Sequence, residues 1–469
     1  VPELPRRRPE RLIIAVLAGC GMLTSLQFTL IVPVLPEIPE ILDVSANDAS
    51  WMVTVTLLAG TAATPVLTRL ADLRGRRRML LLCLALLVAG SVIAAVGLTF
   101  PTVLLGRALQ GSATAILPIG ISLLGELTSR ERANVGIALM SGTLGIGSAL
   151  GLPLSGILVA VAGLPALFWF SAVAGGLFLV AVGVVVPRTP GRARGRLDVA
   201  GSIVLSAGLV CALLVVSKGA VWGWLSPAVI ALASGAIVAF AFWFPFELRR
   251  SSPVVDVRTS LRPFVLVTNV ASFFAAFGMF ANHLLTVQEA RAPAGTGLGL
   301  SALGAGLTIL PAAVAMIALA PVAGRLLNRA GGRLTLALGS AVISGGFVFR
   351  LLFHEGLAIV VAGALIVGVG TAFAFAAMPA LIMSAVPRDE IASANGVNSL
   401  IRSMSGAAAS ATFAALLVAL PGASGADELS EAALLTAFGI VAACSAVAAV
   451  LALTLRPPRA DRGNQTLAW

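Results

Sequence analysis

Long apolar runs recur from one end of this chain to the other, each close to the roughly 20 residues that a membrane-spanning helix needs. Fourteen can be counted, near 12–36, 50–68, 79–98, 101–126, 134–160, 165–187, 199–217, 226–245, 263–288, 299–325, 334–353, 357–384, 392–420 and 432–455. In lipid, backbone polar groups must be satisfied within each segment, which favours helices over open sheet. The expected fold class is an all-α polytopic membrane protein.

Composition agrees with the pattern: of 469 residues, 58% are hydrophobic and only 11% charged. The net charge of +11 raises the question of nucleic acid, but the placement of the charge answers it. Of the 31 basic residues, 30 are Arg and one is Lys218. The N-terminus, the C-terminal tail and the even-numbered connections carry 26 of them, and the odd-numbered connections only Lys218 and Arg291. That asymmetry is a topology signal, and it predicts both termini in the cytoplasm. Three arginines, Arg107, Arg350 and Arg402, fall inside spans. The basic start "PRRRPERLIIAVLAGCGML" runs into a span too long for a cleavable signal core. Cys20, Cys83, Cys211 and Cys444 lie in apolar runs without metal-ligand spacing and read as packing residues. Two histidines make no metal cluster, and no Gly-Lys-Ser/Thr phosphate loop occurs, so neither a metal nor a cofactor is expected, nor ATP-driven pumping.

The chain also repeats. "TRLADLRGRR" at 68–77 returns as "GRLLNRAGGR" at 324–333, an offset of 256 residues. Both follow an even-numbered span, the second and the tenth, and Arg69 and Gly75 match Arg325 and Gly331. An offset of eight spans fits two six-helix bundles with a two-helix insert between them. The expected division is residues 1–198, an insert and linker at 199–262, and residues 263–469. Repeated halves with a site at their interface are a common transporter plan.

Three motifs carry a resemblance to the major facilitator superfamily. "RLADLRGRRR" resembles its loop between the second and third helices, and "LLGRALQGSATA" at 104–115 its fourth-helix motif. "GIGSALGLPLSG" at 145–156 resembles the fifth-helix motif of its drug antiporters. The extra pair of spans, joined by "KGAVWGWLSP", is similar to the fourteen-helix drug:proton antiporter branch. The resemblance covers nearly the whole chain. It implies a major facilitator fold and a secondary transporter that exports amphipathic drugs or a natural product by proton antiport and alternating access. It also implies a multi-pass protein of the bacterial inner membrane, working as a monomer with a small amphipathic substrate, protons and membrane lipids as partners and no nucleic acid.

By the same resemblance, Asp72 accepts from the N-terminus of the helix that starts near Ala392, latching the cytoplasmic side shut, with Gly75, Arg76 and Arg77 completing the turn. A carboxylate suits a helix N-terminus, where unpaired N–H groups carry partial positive charge. In the fifth span Gly142, Gly147, Gly151 and Gly156 form a small-residue stripe, and Pro153 can bend the helix. The residues Gly147, Gly151, Pro153 and Gly156 are the expected pivot. Here Leu152 separates Gly151 from Pro153, which are adjacent in the family pattern.

The deep charges narrow the substrate. Arg107 lies about 10 Å and Arg402 about 15 Å into its span, at ~1.5 Å per residue. A central arginine costs at least ~2.5 kcal/mol, so a cavity-facing role is expected of both. Arg107 matches the family's fourth-helix arginine, implicated there in proton coupling. Arg350 is near a span end and can snorkel to the interface. No carboxylate sits mid-span, and Gln27 stands where the antiporter branch usually has Asp. A neutral or acidic amphiphile therefore fits better than a dication. The expected cavity residues are Gln27, Arg107, Gln110, Asn269, His283, Asn398 and Arg402. Proton-coupling candidates are Glu126, Glu289, His283 and Arg107, with an ion pair to Arg130 or a loop arginine as the other reading of Glu126. Two further functions stay open from the residues alone. One is a translocase of lipids or lipid precursors, and the other a membrane receptor or scaffold without flux.

Overall fold

Glycine breaks in long helical runs decide how this chain folds back on itself. The computed structural model describes residues 10–35, 37–191, 193, 195–250, 253–293, 297–353, 356–420 and 430–455. The arginines at 6–8, the C-terminal tail, Pro36 and His354 lie outside them. Every regular element among the described residues is helical. The first helices are α1 (Glu10–Thr29), α2 (Trp51–Arg74), α3 (Arg76–Gly97) and α4. Helix α4 runs over Phe100–Gly111 and Ile116–Leu127 with a 3₁₀ turn, Ser112–Ala115, between. The run Arg130–Val185 breaks at Ala162 and at Gly163 (φ 69°), separating α5 (130–161) from α6 (164–185). Then come α7 (Val199–Trp222), α8 (Pro227–Leu248) and α9 (Pro263–Arg291). Helix α10 starts with Ala302–Ala318 and continues to residue 330. Gly331 (φ 78°) breaks the run Ala320–Leu352, and α11 occupies 332–352. The last three are α12 (Leu357–Ala385), α13 (Ile391–Ala419) and α14 (Glu431–Thr454).

Thirteen helical segments among the described residues are long and apolar enough to span a membrane. Counting the shorter Ala302–Ala318 with the Gly331 break, the fourteen expected runs each have a helix. Four ends move by five residues or more, with the second and seventh spans running on to Arg74 and Trp222. The first span ends at Thr29, because Pro33 turns the chain into a 3₁₀ segment, Val32–Val34. The tenth extends past Arg325 to Gly331, so Arg325 and Arg329 are helical.

The internal echo has a geometric counterpart. Gly75 (φ 103°) and Gly331 (φ 78°) hold the left-handed conformation that reverses the chain between α2 and α3 and between α10 and α11. Close glycine crossings repeat as well. A Cβ on Gly90 or Gly106 would sit 2.5 or 2.4 Å from the other's carbonyl, where α3 crosses α4. Gly370 and Gly339 give 2.5 and 2.7 Å where α11 crosses α12. Without these glycines the backbones could not approach so closely, and in lipid that approach is what association rests on.

Helices α1–α6 pack on one another, as do α9–α14. The two sets meet along two seams. At one, α5 packs on α10 and α12, with Gly142 against the Met316 backbone and the Ser141 hydroxyl donating to the Phe375 carbonyl at 3.0 Å. At the other, α13 packs on α2 and the second part of α4. The extra hairpin, α7 and α8, leans on this second seam. Ser206 donates to the Ala62 carbonyl of α2 at 3.1 Å, and Leu205, Leu209 and Trp243 share a core with Val397 and Leu400 of α13. Ile230, Ile237, Val238 and Phe242 of α8 face outward, an apolar surface suited to lipid.

Candidate functional site

The second seam is closed at its arginine-rich end by one carboxylate. Asp72, at the end of α2, is 1% exposed and faces the first turn of α13. It accepts from the Ala392 and Ser393 backbone N–H groups at 3.2 and 2.8 Å, and from the Ser393 hydroxyl at 2.8 Å. The first N–H groups of a helix have no intrahelical partner, so a carboxylate there satisfies donors and opposes the helix dipole together. Arg76 holds Asp72 from behind at 3.2 Å and Glu126 of α4 at 3.0 Å, and it donates to the Arg388 carbonyl at 2.8 Å. Glu126 thus pairs with Arg76. It sits inside the contact network that joins the seam.

The first seam has a neutral counterpart. Asn328, 256 residues beyond Asp72, lies at the end of α10 and meets the start of α5. It accepts from Asn134 Nδ2 at 2.6 Å and donates to the Glu131 carbonyl at 3.3 Å. Both ties lie at the same end of the molecule, one charged and one not.

Beside Asp72 a narrow cleft is lined by Arg69, Asp256, Thr259, Asn269, Glu390 and Ser393, among others. Glu390 precedes α13, outside the spans. Burial raises its pKa above the ordinary 4.5, and the nearby Asp256 and Asp389 raise it further, against a Thr259 hydrogen bond and the Arg69 charge. A carboxyl raised in the folded state contributes stability that is complete below 4.5 and lost as pH rises through the elevated value. Thermal unfolding followed downward from neutral pH should therefore show a gain that Glu390→Gln lacks. Parallel curves for the two proteins would refute the assignment.

Deeper in the first bundle the arginine signalled by the sequence makes a brace. Arg107 donates through Nε to the Met52 carbonyl and through Nη1 to the Gln27 carbonyl, both at 3.1 Å, and to Gln110 Oε1 at 2.9 Å. Gln110 in turn donates to Ser91 Oγ at 2.8 Å. One network thus joins α1, α2, α3 and α4. The cavity-facing expectation for Arg107 and Gln110 meets a different use of their polar atoms here, most of which bond to neighbouring helices or to each other. Arg107 Nη2 and the Gln27 amide Nε2 are left without partners.

The second bundle gathers Asn398, whose Nδ2 donates to Asn269 Oδ1 at 2.9 Å and to Ser272 Oγ at 3.0 Å. Arg402, one turn on, lies over the Phe375 ring at 5.0 Å. His283 does not join them: its Nδ1 meets the Met279 carbonyl of its own helix at 3.0 Å, and Asn282 is the neighbour that points inward, to Ala364. Arg350 departs from its expectation. It does not snorkel: it is 1% exposed, pairs with Glu289, donates to Thr286 Oγ1 at 2.9 Å and lies 4.3 Å from the Phe438 ring centre. A guanidinium that finds a buried carboxylate has no reason to reach for the interface. Neither Arg107 nor Arg402 lines the cleft beside Asp72 or the apolar cleft between α9, α13 and α14.

The profile of the Major Facilitator Superfamily matches residues 17–410. The chain belongs to the major facilitator superfamily. Among its relatives is the multidrug resistance protein Stp of Mycobacterium tuberculosis, 26% identical over 87% of this chain and 76% of that one. The tetracenomycin C resistance and export protein of Streptomyces glaucescens is 26% identical over 91% and 79%. In fold the chain is similar to the crystal structure of the human organic anion transporter MFSD10, with a TM-score of 0.66 at 18% identity over 95% and 98% of the two chains. The facilitator fold thus accounts for the two bundles and their seams.

Within that fold the expected pivot divides. A Cβ on Gly147 would meet the Met22 carbonyl of α1 at 2.6 Å, and one on Gly151 the Thr29 hydroxyl at 1.8 Å. Gly156 has nothing within 4 Å, so it does not belong to the contact stripe. Gly151→Ala should therefore lower the melting temperature by several degrees, through about 1–3 kcal/mol of overpacking, while Gly156→Ala leaves it within a degree. Equal behaviour of the two variants would refute the split. Residues the motifs did not single out also belong to the facilitator's seams: Ser393, Asn134, Asn328 and Phe375. Of these Asn328 was recoverable, since the 256-residue echo aligns it with Asp72.

Proposed function

We propose that this protein is a secondary transporter that exports amphipathic drugs or a natural product from the bacterial cytoplasm by proton antiport. The observation that carries the reading is the Asp72 carboxylate bonded to the start of α13, with Arg76 and Glu126 behind it. A buried charged tie between two otherwise separable bundles is what alternating access requires: strong enough to close one end, confined enough to break as a unit. In this reading the arginine-rich end is cytoplasmic, residues 1–198 and 263–469 rock against each other, and the 199–262 insert rides on the α2–α13 seam. The names of Stp and the tetracenomycin exporter support the substrate class. Gln27 in place of an acid, and the absence of a carboxylate in mid-span among the described residues, favour neutral or acidic cargo over dications. In this reading proton transfer falls to the carboxylates nearest the moving seams, Glu126 first, with Arg107 holding the first bundle in register.

The test is a resistance screen in a pump-deficient host against cationic, neutral and acidic compounds, followed by flux in proteoliposomes. Extrusion of at least one neutral or acidic compound, accelerated by an inward-directed pH gradient, is expected. Flux indifferent to the gradient removes the proton clause, and no extrusion of any class removes the export reading.

A further inference from the structure

Among the described buried arginines, Arg107 and Arg402 lack a carboxylate counter-ion, and Arg402 also lacks acceptors at Nε and Nη1. Arg76 has Asp72 and Glu126, Arg350 has Glu289, and Arg107 has three oxygen acceptors. Arg402 is 4% exposed, and its Nε and Nη1 have no hydrogen-bond partner. Its neighbours are an aromatic ring, Phe375, and the Ser405 hydroxyl, which donates to Arg402's own carbonyl at 2.6 Å. Leaving a buried charge uncompensated costs several kcal/mol in general, and mid-membrane arginines otherwise pair or face a pathway. One helical turn toward the start of α13, Asn398 Oδ1 is also without a partner, although its amide nitrogen is fixed by Asn269 and Ser272. Phe375 belongs to the buried core of the second bundle, and its backbone carbonyl accepts from Ser141 of α5, so the first seam lies on the same stretch of α12.

We propose that Arg402 receives an anionic group of the cargo, a carboxylate or a group of like geometry, and that Asn398 Oδ1 receives a hydrogen-bond donor of the same molecule. Four residues of helix separate the two side chains, so the two groups lie about 6 Å apart along the axis. A planar apolar body between them packs on Phe375 and the seam. The class of ligand is thus an amphipathic monoanion with a hydroxyl or amide at its far end. The guanidinium supplies charge-assisted donors that match a carboxylate in geometry as well as sign. A membrane phospholipid headgroup offers the same negative charge, and the test separates the two sources. The assignment of the anion to cargo rests on the export reading; the anion site itself does not.

The full chain is placed in phosphatidylcholine nanodiscs and titrated with 6-hydroxy-2-naphthoate and with its uncharged methyl ester. The acid should bind at least tenfold more tightly than the ester. Arg402→Gln should lose that preference, and Arg402→Lys should recover part of it. The unliganded Arg402→Gln protein should melt no lower than wild type, since an unpaired buried charge has been removed. A structural arginine would behave the other way, with a lower melting temperature and unchanged preference for the acid. Wild type that does not distinguish acid from ester overturns the proposal, as does Arg402→Gln that still does. Acid binding abolished by phosphatidylglycerol in the nanodisc, in wild type alone, assigns the anion to a lipid headgroup and overturns the cargo clause. If wild type binds the acid yet extrudes nothing in the flux assay, the export reading fails and the site stands. If neutral compounds are extruded but the acid does not bind, the site fails and the export reading stands.

Discussion

Asp72→Asn should shift the resting conformation toward opening at the arginine-rich end and lower export by at least tenfold. The carboxylate accepts four hydrogen bonds, three of them from α13 and one from Arg76. An amide keeps the shape, turns one oxygen into a donor aimed at donors, and removes the charge that faces the helix dipole. Hydrogen bonds to a charged group are worth about 1.5–3 kcal/mol each. Losing two of them moves the closed-to-open ratio by about a hundredfold or more, at about 1.4 kcal/mol per factor of ten. Spin labels at the exposed positions Arg78 and Ser384, on opposite bundles, read the opening directly. A longer label distance is expected for Asp72→Asn. The neutral tie at Asn328 is the control: Asn328→Ala forfeits uncharged bonds worth about 1 kcal/mol, so its shift should be several-fold smaller. Unchanged distances in Asp72→Asn would mean that the tie does not hold the seam.

The second large effect is expected at the opposite end. Glu289→Ala strands the Arg350 guanidinium, which is 1% exposed, with only Thr286 and the Phe438 ring beside it. Removing one partner of a buried ion pair costs about 3–5 kcal/mol, whereas replacing both with apolar or neutral groups of similar size is often neutral. The single variant should therefore express poorly and melt well below wild type. The double variant Glu289→Gln with Arg350→Met should recover most of the loss. A single variant as stable as wild type contradicts the pairing. Under the proposed proton antiport, a recovered double variant whose export still responds to an inward-directed pH gradient excludes Glu289 as the proton carrier and leaves the groups at the seams.

Read from composition and spacing, the chain already determined its class, its fourteen passes, its internal duplication and the turn that holds Asp72. These features are local or periodic. Apolar length decides a span, and a glycine at a left-handed turn is required whatever packs around it. The matched glycines Gly75 and Gly331, and the alignment of Asn328 with Asp72, show how far such a pattern reaches. What each buried polar side chain does was decided only by the tertiary structure. Arg107, Arg350 and Arg402 are the same residue in the same kind of apolar run. One braces neighbouring helices through two backbone carbonyls and a glutamine, one closes on a carboxylate from another helix, and one is left facing an aromatic ring with its charge unanswered. The partners lie 55–80 residues away for Arg107 and 61 for Arg350. In a medium without water the energy of a buried charge is set by what the neighbouring helices bring to it, and a linear pattern does not carry that information.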